Sequence, residues 1–192
     1  MIRSNGRLAL AGLALFAGSR WLVRDRPVSV LEGEVFRAAN DAPDGWRVPV
    51  RSVMQAGTFV TVPAVATAAF LARRRRLAAE LAIGGTAAWL LAKAAKPLGG
   101  RARPQAVVGG VNVRETIAGD LGWVSGHTAV STTLALLLAP HVPRSAQAAL
   151  GAVMGTTAFG RMYVGAHLPL DLVGGAGLGM SIVAAIRAIG RN

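Results

Sequence analysis

A histidine and an aspartate lie close together in an otherwise apolar part of this chain. His167 precedes Asp171 by four residues, and Pro169 stands between them. Since proline is tolerated at the first position of a helix, we expect a helix that begins at Pro169 with Leu168 as its cap. Asp171 would then lie in the first turn, where a carboxylate suits the helix dipole and can reach back to His167. Such a pair is typical of sites in which an acid fixes the tautomer of a catalytic histidine, and the alternative is a structural polar cluster between helices.

A second histidine and several cations occur at three further points of the chain. They are Lys96 and Arg103 in KPLGGRARP, Ser125, Gly126 and His127 in VSGH, and Arg161 six residues before His167. A helix that starts near Ser125 would offer free N–H groups to an anion, and arginine forks match phosphate oxygens. We therefore predict an anion cage suited to phosphoryl chemistry. We predict no metal ligands, because the nearby cations would repel a metal ion.

The composition indicates a membrane protein. The chain has 192 residues, which predicts a single domain over residues 1–192. It is 53% hydrophobic with a mean hydropathy of +0.46, which is too apolar for an ordinary soluble domain. It has no cysteine, which excludes disulfides and thiolate metal sites. The net charge of +12 is not clustered on an aromatic-bearing surface of the kind that binds nucleic acid, so anionic membrane lipids are the more natural partners.

Hydrophobic runs predict an all-α bundle of six transmembrane helices. The predicted spans are residues 8–23, 53–72, 77–95, 125–139, 144–165 and 169–189. Pro63 is expected to kink the second span. Glycines at 84 and 85, 151 and 155, and 175 and 179 are expected to allow close helix contacts. The first span also has features of a cleaved signal peptide, but we favour a retained helix.

Two polar segments indicate how the bundle is oriented in the membrane. Within residues 24–52, VSVLEGEVFRAAN predicts a short interfacial helix that covers the bundle as a lid or belt. This segment, the loop 96–124 and the loop that holds His167 would lie on one face. The four arginines at 73–76 would lie on the other face, as an orientation signal rather than a ligand site. We therefore predict a multi-pass protein of the plasma (inner) membrane with its site on the extracytoplasmic side.

Three motifs resemble the signatures of one family, the type 2 phosphatidic acid phosphatases (PAP2, or lipid phosphate phosphatases). They are Lys96-x6-Arg103-Pro104, Ser125-Gly126-His127 and Arg161-x5-His167-x3-Asp171, and Tyr163, Gly165 and Pro169 extend the third. The resemblance covers about residues 53–189, the core of the predicted domain. Val124 and Gly160 depart from the usual proline and serine.

The resemblance implies a covalent mechanism without metal or cofactor. His167 would attack phosphorus to form a phosphohistidine, and Asp171 would hold its tautomer. His127 would protonate the leaving oxygen and then activate water. The phosphate would be bound by Lys96, Arg103, Ser125, Gly126 and Arg161.

The expected activity is that of a membrane-embedded phosphatase acting on a lipid phosphate or diphosphate. Polyprenyl diphosphate, phosphatidate and phosphatidylglycerophosphate are the substrates we consider. One alternative is a lipid phosphotransferase that uses the same site. The other is a non-catalytic protein of the same fold that binds or transports lipid, against which the intact histidines and aspartate argue.

Several residues near the motifs receive weaker expectations. Lys93 is expected to snorkel, and Trp123 to anchor the chain at the interface or line the path of the lipid. Arg101 is expected either to contact a second phosphate or to be a solvated loop charge. Glu115 and Asp120 on the loop, and His141 on the opposite face, are expected to be solvated.

Overall fold

The computed structural model describes residues 2–24 and 26–190, without the side chains of residues 2–4. Asp25 of the polar segment, and residues 1, 191 and 192 of the predicted domain, lie outside the described residues. The described residues form nine α-helices and no strand, which confirms the all-α prediction. The helices are α1 (Ile2–Val23), α2 (Val30–Asn40), α3 (Arg47–Met54), α4 (Thr61–Leu71), α5 (Arg75–Gly99), α6 (Pro104–Val107), α7 (Gly126–Leu138), α8 (Arg144–Tyr163) and α9 (Pro169–Ile189).

Helix α7 packs against α5, α8 and α9, and most of its residues are buried. Helix α9 packs in turn against α1, and α5 packs against α4. Close packing of α9 on α7 requires its glycines, because a Cβ at Gly175 would lie 2.5 Å from the Ser125 carbonyl oxygen. A Cβ at Gly179 would lie 2.8 Å from the carbonyl oxygen of Ala129. The prediction of close contacts is wrong for Gly151 and Gly155, where an added Cβ would meet no atom of another described helix within 4 Å.

The predicted second span, 53–72, is broken rather than continuous. Helix α3 ends at Met54, a 3₁₀ turn covers Gln55–Gly57, and α4 begins at Thr61. The two parts are bent by 66°. Hydroxyl groups stabilise the break, since Thr58 Oγ1 and Thr61 Oγ1 donate to the Gln55 carbonyl at 2.7 and 2.8 Å. Pro63 does not cause the bend, because it lies in the first turn of α4, where a missing N–H costs little.

Two of the described helices, α5 and α9, are long and apolar enough to cross a membrane, and the bent segment 44–71 would make a third. Helix α7 has 13 residues. At about 1.5 Å per residue it is roughly 20 Å long, shorter than the roughly 30 Å hydrocarbon core. The apolar helices therefore indicate a membrane protein, while the count of six spans stays a prediction.

Helix α1 is an integral part of the bundle. It packs along α9, and Trp123 Nε1 donates to Ser19 Oγ at 3.1 Å. These contacts favour a retained helix over a removable signal.

Helix α2 forms where the sequence predicts it, with Ser29 as its N-cap. Its polar residues Glu32 and Asn40 face inward, whereas Val30 and Leu31 are exposed. The exposed apolar side agrees with the predicted position at the membrane surface, which stays a prediction.

Candidate active site

A cavity of about 300 Å³ opens where the ends of α5, α7 and α8 meet the loop that follows α5. Six of the predicted site residues line it: Lys96, Arg103, Gly126, His127, Arg161 and His167. Residues far apart in the chain are thus gathered around one space, with cations and imidazoles on its walls. Asp171 and Ser125, the other predicted site residues, are fully buried outside the lining.

His167 lies on the short connection between α8 and α9, and its side chain is almost fully buried. Arg103 Nη1 approaches His167 Nε2 at 3.2 Å. Because a guanidinium can only donate hydrogen bonds, Nε2 must be the acceptor and the ring proton must be on Nδ1. The tautomer is therefore set by Arg103, and the Nε2 lone pair is directed at this guanidinium, which also lines the cavity.

Asp171 stands behind His167 in the first turn of α9, as the proline at 169 predicts. Its Oδ2 accepts a hydrogen bond from the Leu168 N–H at 3.0 Å, so the carboxylate caps its own helix. The same oxygen lies 3.4 Å from His167 Nδ1. Within the described residues Nδ1 has no partner with hydrogen-bond geometry, so this contact is one of charge and proximity.

Arg103 and Lys96 are held in place by backbone carbonyls. Arg103 donates to the carbonyl oxygens of Ala166 at 2.8 Å, Ala118 at 2.9 Å and Gly119 at 3.2 Å. Lys96 Nζ donates to the Leu121 carbonyl oxygen at 2.9 Å. Both cations are therefore fixed before any ligand binds, which is the preorganisation that electrostatic catalysis requires.

Arg161, on the last turn of α8, already has an anionic partner. Its Nη1 donates to the carboxylate of Glu115, which lines the same cavity. Its Nε is buried without a hydrogen-bond partner among the described residues. The prediction that Glu115 is solvated is wrong, because the loop folds this carboxylate onto a buried cation.

Ser125 does not present its hydroxyl to the cavity. It caps α7, where its Oγ accepts from Thr128 N at 3.4 Å and from Thr128 Oγ1 at 3.1 Å. The first-turn N–H groups of Gly126 and His127 have no acceptor within a helix, and both residues line the cavity. The serine thus contributes by positioning a helix start rather than through a direct contact.

Arg101 and Glu32 form a buried ion pair behind the site. Arg101 Nη2 lies 2.5 Å from Glu32 Oε2, Nη1 lies 2.8 Å from Oε1, and the same Nη1 lies 3.4 Å from Asp171 Oδ1. Neither expectation for Arg101 is correct, since it is buried and does not line the cavity. Sequence reasoning missed Glu32 altogether. Glu32 lies three residues after Ser29, which is the spacing of a capping box. That pattern predicts that the Glu32 carboxylate accepts from the Ser29 N–H, and it gives no sign of a contact with Arg101.

Trp123 is fully buried, so its predicted role at the membrane interface is wrong. Its ring packs against Phe16 with centroids 5.0 Å apart.

Lys93 is exposed at the cavity, and its Nζ lies 3.5 Å from the centroid of the Trp89 ring. Asp120 and His141 are exposed, as predicted.

Val124 and Gly160, the two departures from the family motifs, both lie in closely packed surroundings. Val124 belongs to the buried core. A Cβ at Gly160 would lie 3.1 Å from Val50 and 3.2 Å from the Met54 sulfur, so this glycine lets α3 pack against α8 beside Arg161.

Burial lowers the pKa of His167 well below its usual range, and the charges of Arg161, Arg103 and Lys96 act in the same direction. The imidazole is therefore neutral at physiological pH, and its Nε2 is unprotonated. A neutral nucleophile among fixed cations is an arrangement that can attack phosphorus and bind the phosphate oxygens. In the described part of the chain, no three His, Cys, Asp or Glu side chains group to hold a metal ion.

Comparisons with known proteins agree with this geometry. The sequence matches the family model of the PAP2 superfamily over residues 76–192. The crystal structure of Aquifex aeolicus LpxE is similar with a TM-score of 0.70 and 23% identity, over 79% of this chain and 93% of that chain. That of a transmembrane PAP2-type phosphatidylglycerolphosphate phosphatase from Bacillus subtilis is similar with a TM-score of 0.71 and 19% identity, over 97% of this chain and 96% of that chain. Among curated protein sequences, none matches. The family model covers more than half of the chain, so the resemblance read from the three motifs is confirmed and the chain belongs to the PAP2 superfamily.

Proposed function

We propose that this protein is an integral-membrane phosphatase that hydrolyses a lipid phosphate or diphosphate. The observation that carries the proposal is the buried neutral His167, whose Nε2 accepts a hydrogen bond from Arg103 in a cavity also lined by His127 and Arg161. The similarity to a phosphatidylglycerolphosphate phosphatase supports the substrate class. The fold shared with that transmembrane protein and the apolar helices support a site embedded in a membrane.

In the first chemical step, His167 Nε2 attacks the phosphorus atom and the bond to the leaving oxygen breaks. The leaving oxygen takes a proton from His127, which lines the cavity beside His167. Asp171, 3.4 Å from Nδ1, stabilises the positive charge that develops on the ring. The product of this step is a phosphohistidine and a free lipid alcohol, or a lipid monophosphate if the substrate is a diphosphate.

In the second step, water attacks the phosphohistidine and His127 accepts the proton of that water. The bond between phosphorus and Nε2 breaks, and inorganic phosphate leaves. Lys96, Arg103 and the first-turn N–H groups of α7 bind the equatorial oxygens in both steps. Arg161 joins them when the phosphate replaces Glu115 as its partner.

The shape of the site favours a lipid over a soluble ester. The cavity of about 300 Å³ suits a phosphate-bearing headgroup, and apolar side chains of Phe59, Trp89 and Ile117 contribute to its lining. The short α7 would place its starting residues at or just beneath headgroup level on the extracytoplasmic side. A lipid could then present its phosphate sideways, with its tail still in the bilayer.

Phosphate release from a panel of lipid phosphates in detergent, with and without EDTA, tests the proposal. The panel contains phosphatidate, phosphatidylglycerophosphate, a polyprenyl diphosphate and a soluble phosphomonoester. We expect release from at least one lipid substrate, little from the soluble ester, and no loss of rate with EDTA. Transfer of the phosphoryl group to an added alcohol in place of water would identify a phosphotransferase. If the folded protein hydrolyses none of these lipids, the result would favour the alternative of a non-catalytic lipid-binding protein.

A further inference from the structure

The back of the His167–Asp171 pair contains two charged residues that the mechanism above does not use. Arg101 comes from the loop after α5, and Glu32 comes from the first turn of α2. Both side chains are 6% exposed, and Asp171 between Arg101 and His167 is completely buried. Two carboxylates and one guanidinium therefore share a buried space, where each charged side chain is oriented by the partner with which it pairs.

The two oxygens of Asp171 face different partners. Oδ1 lies 3.4 Å from Arg101 Nη1, and Oδ2 lies 3.4 Å from His167 Nδ1. Arg101 makes its short contacts to Glu32 instead, at 2.5 and 2.8 Å in a two-pronged pair. Asp171 is therefore only loosely engaged by Arg101, and its second oxygen, which also accepts the Leu168 N–H, lies beside His167.

Glu32 is itself held by the start of α9. Its Oε1 accepts a hydrogen bond from the Leu170 N–H at 3.0 Å, and its own N–H donates to Ser29 Oγ at 3.2 Å. The far end of α2 is also fixed, since Asn40 Nδ2 contacts the carbonyl oxygens of Met162 and Tyr163, each at 3.1 Å. Helix α2 is thus a support anchored at both ends, which fits the belt that the sequence suggested better than an opening lid.

We infer that Glu32 is a positioning residue for the nucleophile: it binds Arg101 and so prevents Arg101 from drawing the Asp171 carboxylate away from His167. Without the Glu32 charge, Asp171 is the only carboxylate near Arg101 among the described residues. A guanidinium prefers a two-pronged pair with a carboxylate. Arg101 would then take both oxygens of Asp171, and His167 Nδ1 would lose its anionic neighbour. This inference rests on the function proposed above, because it assigns Glu32 a role in the same reaction.

The variant Glu32→Gln tests this role, because it keeps the size of the side chain and one acceptor oxygen for the Leu170 N–H, but removes the charge and the second acceptor that bind Arg101. We expect kcat to fall about 10- to 100-fold, the range found when the hydrogen-bond partner of a metal-binding histidine is removed. KM should not change, since Glu32 does not line the cavity. Glu34→Gln is the matched control, because Glu34 lies on the same helix and is exposed. A folded Glu32→Gln protein with wild-type kcat, or one in which only KM changes, would overturn the inference.

A double variant separates positioning from mere stabilisation. In Glu32→Gln/Arg101→Gln no guanidinium competes with His167 for Asp171, which keeps its hydrogen bond from the Leu168 N–H, so kcat should recover in part relative to Glu32→Gln. If the ion pair only stabilises the fold, removing its second member cannot restore turnover, and a double variant no faster than Glu32→Gln contradicts the inference. Should Glu32→Gln not fold, Glu32→Asp retains the charge with a shorter reach, and a lower kcat at unchanged KM is then expected.

A spectroscopic measurement distinguishes failure of this inference from failure of the proposed function. In protein labelled with ¹⁵N-histidine, the Nδ1–H proton of His167 should resonate downfield because Asp171 is near, and it is assigned by its loss in His167→Gln. It should move upfield in Glu32→Gln and return in the double variant. If the His167 Nδ1–H resonance is the same in the wild type, Glu32→Gln and the double variant, Glu32 has no positioning role. This conclusion holds whether or not a lipid phosphate is hydrolysed.

Discussion

Arg161 donates a hydrogen bond to the carboxylate of Glu115 inside the cavity that the phosphate of a substrate would occupy. The side chains of Arg161 and Glu115 are 6% and 16% exposed, so the pair is poorly screened by solvent. The carboxylate thus holds the place of a phosphate oxygen, and any phosphate that binds must compete with it for the guanidinium.

Replacing Glu115 by glutamine should strengthen phosphate binding. A neutral amide competes less well for Arg161 and does not repel the phosphate, and a charge-assisted hydrogen bond contributes about 1.5–3 kcal/mol, so KM and the inhibition constant of inorganic phosphate should each fall about tenfold. Steady-state kinetics with added phosphate measure both constants. Asp120→Asn is the control, because Asp120 is exposed on the same loop. Weaker phosphate inhibition in Glu115→Gln would show that the carboxylate helps to bind the ligand.

Replacing His167 by alanine should abolish turnover and leave the protein folded. Loss of a nucleophile lowers kcat by at least about 10⁴-fold in comparable covalent enzymes. Radiolabelled phosphate trapped on a histidine of the wild-type protein by rapid acid quench should be missing in the variant. His141→Ala should keep both turnover and labelling, since His141 is exposed near the arginine turn. Multiple turnovers by His167→Ala would rule out the covalent mechanism.

The low pKa of His167 predicts how stability depends on pH. Burial first, and then the charges of Arg161, Arg103 and Lys96, disfavour the protonated ring in the folded state. The unfolded chain, with an ordinary histidine pKa of 6.5, binds more protons between the two pKa values. Stability should therefore fall as pH falls below the ordinary value, and this loss should continue down to the pKa of the folded protein.

Thermal unfolding in detergent, followed between about pH 7.5 and about pH 5, measures this dependence. His167→Gln should lose less stability over that interval than the wild-type protein, because it has no ring to protonate at this position. His141→Gln should behave as the wild type, since that side chain is exposed. An identical pH dependence in wild type and His167→Gln would mean that His167 is not buried in its neutral form.

Local chemistry in the sequence was a reliable guide to the site. The start of α9 at Pro169 follows from the preference of a single residue, and a helix that starts near Ser125 was also predicted; the structure has both. Lys96, His127 and Arg161 meet at one cavity because each lies near the end of a helix that hydropathy alone could outline.

Pairs of charges distant in the chain could not be predicted in the same way. Glu32 and Arg101 are 69 residues apart, and Glu115 and Arg161 are 46 apart. Each of these carboxylates is ordinary in its local context, so only the tertiary packing shows that it is buried. The break between α3 and α4 was missed for a related reason. Hydropathy averaged over residues 53–72 does not show the turn, which is stabilised by the hydroxyl groups of two threonines.

The orientation of the site in the membrane is open to a direct labelling test. The chain has no cysteine, so a single introduced cysteine is the only reactive thiol. Val113 is 49% exposed on the loop beside the cavity, and Arg75 is exposed at the opposite turn. If the four-arginine turn is cytoplasmic, as the positive-inside rule predicts, Val113→Cys should react with a membrane-impermeant maleimide in intact cells and Arg75→Cys should react only after permeabilisation. Trp123→Cys is the buried control, which should remain protected in both conditions until the protein is denatured. Labelling of position 75 with protection of position 113 in intact cells would reverse the orientation, and the phosphate of the substrate would then lie in the inner leaflet.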